Sequence, residues 1–172
     1  MRCPGQVTVL ASLLVLSLLW FPVPAVPQLL GDEAEMTRLR VKAEEAVADD
    51  DPDGAAMAMG RAALMAAQLA KKQTGLHAQL YKAHEALFRS QEHTYRAMAL
   101  FRRAGSQLPA SSGVCGSLAL AQGSLRQAVE LTAAPQPSPS PDRLIEDVAR
   151  LRETADTWST VIDSMIADYQ CP

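Results

Sequence analysis

The 172-residue chain contains no asparagine, so an N-glycosylation sequon cannot occur anywhere in it. That absence favours a bacterial export route. Aromatic residues are scarce, at 5%, while alanine is abundant. Proline is missing from Asp53 to Leu108, which removes the strongest helix breaker from the middle of the chain. Beyond the first 25 residues there is no long apolar run, so nothing later in the chain has the length of a membrane span. Gly-rich phosphate loops, a haem-type CxxCH and an isolated carboxylate pair are all missing. Gly113-Val114-Cys115-Gly116-Ser117 has the outline of a nucleophile elbow, but an elbow needs a preceding strand, and no strand is readable. No catalytic residue and no cofactor are expected, and the chain reads as a non-enzyme.

What is present begins with a targeting signal. Arg2 and the amino terminus form a positive start, and an apolar run from Val7 to Phe21 follows. Small and β-branched residues then lead to Ala25. This is the layout of a secretory signal peptide over residues 1–25, cut after Ala25; the alternative is an uncleaved anchor. The expected location is exported, periplasmic or secreted. Without Arg2 the chain has 15 basic and 19 acidic residues, a net charge of −4 that argues against general nucleic-acid binding. Cys115 and Cys171 remain after cleavage. In an oxidising compartment such a pair commonly closes a disulfide; a linked dimer or free thiols are the alternatives.

The remainder is helical in pattern, in about seven helices. The first opens at Asp32, with Glu35 placed as in a capping box. Asp51 caps the second, with Pro52 at its first position, and that helix is built largely of Ala and Met, including Ala58, Ala62, Met65, Ala66 and Leu69, small enough to pack closely against neighbours. The third and fourth are expected near 76–90 and 92–106, the fifth and sixth near 114–122 and 124–133 with a break at Gly123. Alternating proline and serine over 135–141 form a stiff linker. The last helix, within 142–172, repeats Leu144, Val148, Leu151, Ala155, Trp158, Ile162, Met165 and Tyr169 at spacings of four and three. Such a stripe packs on its own domain or serves as a seam for a partner helix.

Tyr81, Phe88, Ala97, Phe101, Ala104 and Pro109 stand at the signpost spacings of one tetratricopeptide repeat, and residues 78–109 resemble that helix–turn–helix. His84 and Glu85 occupy the family's Leu-Gly pair, a departure from the pattern. The resemblance implies an all-α domain of helix pairs over 26–134 closed by a C-terminal amphipathic helix; an irregular bundle is the alternative. It also implies a binding scaffold, with Gln79, Lys82, Ala86, Arg89 and Ser90 at the repeat's concave positions. Lys82 and Arg89, with Gln79 and Ser90, are therefore candidates for holding a protein or peptide partner.

Charge is unevenly placed. Residues 32–53 hold nine acids and three bases, 71–103 hold seven bases and two acids, and 142–168 hold seven acids and three bases. Either the segments neutralise one another or the basic one receives an acidic partner. His77, His84 and His93 could together hold a metal, although their spacing lacks the i,i+4 pair that ligates most directly. Asp49 to Gly54 resembles half a calcium loop, but its twelfth position is Gly60 where a bidentate glutamate belongs. No metal is expected at either. A metal- or ligand-binding bundle and a self-associating structural protein are the alternatives to an adaptor.

Overall fold

The structure, a computed structural model, describes residues 26–133 and 142–172, so the signal segment and the Pro/Ser linker lie outside the described residues. Five helices make up the described chain: α1 Val26–Ala48, α2 Pro52–Lys72, α3 Gly75–Arg103, α4 Ser112–Ala133 and α5 Asp142–Asp168. Among the described residues there is no strand. The all-α class is as expected, while the number of helices is five where seven were expected.

The two mergers have a common physical cause. Ser90-Gln91-Glu92 contains neither proline nor glycine, and all three residues are buried. The Thr94 hydroxyl donates back to the Ser90 carbonyl at 2.9 Å, inside the helix. The expected turn is therefore absent, and α3 runs unbroken for 29 residues. Residues 78–109 consequently do not form the helix–turn–helix that the tetratricopeptide resemblance implies. In α4 a single interior glycine costs about 1 kcal/mol, too little to break a helix whose far side is packed, and Gly123 lies within it. At the other end α1 begins at Val26, so Asp32 is an interior helical residue and caps nothing. Its carboxylate instead pairs with Lys72 at 2.6 Å, tying α1 to the end of α2. Asp51 does cap α2, accepting from the Gly54 amide at 2.9 Å ahead of Pro52.

α3 is the spine. α2 packs antiparallel along one flank and α4 along the other, giving a layer of three helices. Small side chains allow the close approach: Ala55, Ala62, Ala63 and Ala66 of α2 are fully buried, and Ala83, Ala86, Ser90 and Ala97 of α3 serve the same purpose. Pairings fix the register. Arg103 meets Asp53 at 2.8 Å on the α2 side, and Gln79 donates to the Leu131 carbonyl at 2.6 Å on the α4 side.

α1 and α5 both lie over one face of this layer. Tyr81 of α3 donates to Glu33 of α1, and Tyr95 of α3 meets Trp158 of α5 edge to face, with ring centroids 5.5 Å apart. Tyr81, Phe88 and Tyr95 pack with Met36, Leu39 and Ala43 of α1. Leu80, Ala83 and Leu87 pack with Leu144, Val148, Leu151 and Ile162 of α5. The C-terminal stripe is thus buried within its own domain. Its far end is fastened three times. Phe101 stacks on Tyr169 at 4.1 Å, the Ala110 amide donates to the Tyr169 carbonyl at 2.9 Å, and Cys115 is joined to Cys171 by a disulfide.

Candidate functional site

With α2 and α4 on its flanks and α1 and α5 above, α3 has one strip left for solvent. Lys82, Glu85, Arg89, His93 and Arg96 recur along it at intervals of three and four, the spacing of one helical face. Every one of them is exposed or half-buried, while Tyr81, Ala83, Ala86, Leu87, Phe88 and Ser90 are buried. The strip is the centre line of the layer's open face.

The neighbouring helices add apolar side chains to it. Met57 and Leu64, seven residues apart on α2, are 69% and 55% exposed, and Leu120 of α4 is 58% exposed. These are the three most exposed large apolar side chains among the described residues. The close approach of Gly60 to Glu92 and the Gln79–Leu131 pairing bring Leu64 and Leu120 near the level of Arg89, one on each side, and Met57 near the level of Arg96. Apolar side chains are commonly scattered singly on a surface; these three lie on the two helices that flank the strip.

The cations on the strip are held by a buried anion. Glu92 is 7% exposed and accepts from Arg89 at 2.8 Å and from Arg96 at 2.6 Å. Gly60 of α2 makes room for it: a Cβ there would stand 3.1 Å from the Glu92 carboxyl carbon. A carboxylate this deep needs charged partners. Each guanidinium carries five donors, so both keep donors for an incoming acceptor. His93 shares the strip. Burial lowers its pKa, Glu92 opposes that shift, and Arg96 and Arg89 reinforce it.

The four residues suggested by the concave-face pattern do not form one surface. Lys82 is exposed and Arg89 half-buried, both on the open strip. Gln79 is turned under α4 and spent on the Leu131 carbonyl, and Ser90 is fully buried. The stripe that contains Gln79, Ala86 and Ser90 is the groove in which α4 sits. Its polarity is misleading because small residues, whatever their polarity, are what a closely packed helix requires.

The charge asymmetry is largely consumed inside the fold. Arg102 binds Asp50 at 2.8 Å, and Arg103 binds Asp53 at the same distance. The Asp49–Gly54 turn is therefore a cap and a pair of anchors for α3, with the carboxylates of Asp50, Asp51 and Asp53 engaged in separate directions. His77 is exposed, whereas burial pushes His84 down to about 4, with Asp147 opposing and Arg40 reinforcing the shift. His84 stacks on Phe88 with centroids 5.7 Å apart. Among the described residues no three His, Cys, Asp or Glu side chains gather as metal ligands would. Cys115 lies in a helix and is committed to its disulfide, so the elbow outline has no nucleophile. No described helix is long and apolar enough to cross a membrane.

Sequence reasoning named Lys82 and Arg89 but missed Met57, Leu64 and Leu120. The signal for the first two was present: positions 57 and 64 fall outside the buried stripe 58, 62, 65, 66, 69 and still carry large apolar side chains. Leu120 was hidden by the division of α4 into two short helices. Neither a protein-family model, nor a curated protein, nor a solved structure matches this chain.

Proposed function

We propose that this chain is an exported, non-catalytic helical adaptor that holds a protein or peptide partner on the open face of its α2–α3–α4 layer. One observation carries the reading: Met57 and Leu64 of α2 and Leu120 of α4 stand exposed on the two helices that flank a strip of Lys82, Glu85, Arg89, His93 and Arg96. Apolar side chains beside Lys82, which has no ion pair among the described residues, and beside Arg89 and Arg96, which share the single Glu92 carboxylate, match a partner with apolar anchors and carboxylates. Export is supported by the signal-like start of the sequence and by the Cys115–Cys171 disulfide, a bond that persists in oxidising compartments. The adaptor reading is preferred to self-association through the last helix, because the stripe of α5 is already buried against α3 and α4.

The test is capture from the native compartment with wild-type protein and with a Met57→Glu/Leu64→Glu variant. Both substitutions replace exposed side chains, so the variant should keep its helicity and thermal midpoint. The expected result is a partner retained by wild type and lost by the variant, with retention also weakened by salt. Equal retention by both proteins would remove this face from consideration.

A further inference from the structure

We infer that the segment received by the open face is an acidic amphipathic α-helix lying along α2 and α3, with apolar side chains seven residues apart. The inference rests on the docking role of that face and adds the shape of what docks. Met57 and Leu64 are separated by seven residues, two helical turns or about 10.5 Å. Lys82, Arg89 and Arg96 keep the same interval on the adjacent helix. A second helix lying alongside returns a side chain to the same face every seven residues, so its rise matches both rows at once. An extended strand covers about 10.5 Å in three residues, and its third residue points to the opposite face. A strand therefore cannot place two side chains on Met57 and Leu64 in step with the cations.

The charge on the face selects an acidic helix. Lys82 makes no salt bridge among the described residues. Arg89 and Arg96 each spend one hydrogen bond on Glu92 and are held in place by it. Glu92 is enclosed beneath them over Gly60, which leaves Glu85 as the one other carboxylate on the strip. Methionine at the anchor position adapts to apolar groups of different shape, so the interval and the charge, more than any single side chain, define the ligand.

Synthetic peptides read by fluorescence anisotropy on the full mature chain test this. The reference peptide is helix-stabilised, with leucines at i and i+7 flanked by glutamates. Two controls keep its charge, one with the second leucine moved to i+5 and one with proline at the centre; a third, polyglutamate, keeps the acidity without the leucines. The reference should bind, and each control should bind on the order of tenfold more weakly or worse, since each loses an anchor or the helix. Arg89→Ala/Arg96→Ala should weaken the reference and flatten its salt dependence. If the proline or shifted peptide binds as well as the reference, the helical ligand is wrong. The same holds if no peptide binds although Met57→Glu/Leu64→Glu still abolishes capture of the native partner; the docking face then survives without this occupant. Loss of both results overturns the docking face itself. Two further outcomes overturn the inference: binding to phosphatidylglycerol vesicles through the same residues, and a dimer in sedimentation equilibrium that Leu64→Glu dissolves.

Discussion

The two faces of the α2–α3–α4 layer are built from the same three helices and end in opposite states. On the covered face α3 presents Tyr81, His84, Phe88 and Tyr95, which α1 and α5 close over. On the open face the same helix presents Lys82, Arg89, His93 and Arg96, with nothing above them among the described residues. A shift of about 100° around the helix, one residue, separates a core position from a surface one: Tyr81 is buried and Lys82 exposed. Stability should therefore depend on the covered face and docking on the open one, and substitutions can separate the two.

The largest effect is expected at the fastening of α5. Cys115→Ser removes a bridge spanning 56 positions, for which the chain-entropy relation gives about 4 kcal/mol. Urea unfolding should show that loss, together with release of the end of α5. An unchanged midpoint would mean that the Phe101–Tyr169 stack alone holds the helix. Next is the covered face itself. Ile162 is fully buried between α5 and its neighbours, and Ile162→Ala should cost about 3 kcal/mol through lost burial and a residual cavity. Leu64→Ala on the open face should stay within about 0.5 kcal/mol of wild type while weakening partner binding. If the two substitutions cost the same stability, the distinction between the faces fails.

Acid should expose the same contrast. His84 ionises at about 4 in the fold, against about 6.5 in an unfolded chain. Between those values the unfolded chain binds more protons, so stability falls as pH drops from 7 towards 4. The contribution is about 2–3 kcal/mol between pH 7 and 4.5. Comparing urea midpoints at the two pH values in wild type and in His84→Gln isolates it from the carboxylates. The variant should lose less stability on acidification, and identical losses would place the acid sensitivity elsewhere.

Much of this organisation was legible in the sequence. The Asp51 cap with Pro52, the buried stripe of α5, and the cysteine pair follow from local chemistry or from periodicity, and both leave direct marks in the residues. What was not legible depends on neighbours. Whether Ser90 or Lys82 meets water is decided by where α4 packs, and the period of α3 does not contain that information. Gln79 and Ser90 were assigned to a surface because polar residues usually lie there; at a tight helix contact, size outweighs polarity. The charged blocks misled in a similar way. Arg102 and Arg103 look like part of a basic surface until the fold brings Asp50 and Asp53 beside them.

Gly123 gives a small expected effect and the most direct check on how α4 was misread. The sequence suggested a helix break there, yet the residue is inside α4, exposed, and without the positive φ that would require glycine. A Cβ built on it would meet nothing within 4 Å. Glycine in a helix interior is less favourable than alanine by about 0.5–1 kcal/mol, because it loses more backbone freedom on folding. Gly123→Ala should therefore stabilise the protein by about that amount in urea titrations, with unchanged circular dichroism. If α4 were in fact two helices hinged at this residue, alanine would strain the hinge and the midpoint would fall. Gly60 is the internal control. Alanine there gains the same propensity, but its methyl group presses on the Glu92 carboxylate at 3.1 Å, so Gly60→Ala should gain less than Gly123→Ala or lose stability outright.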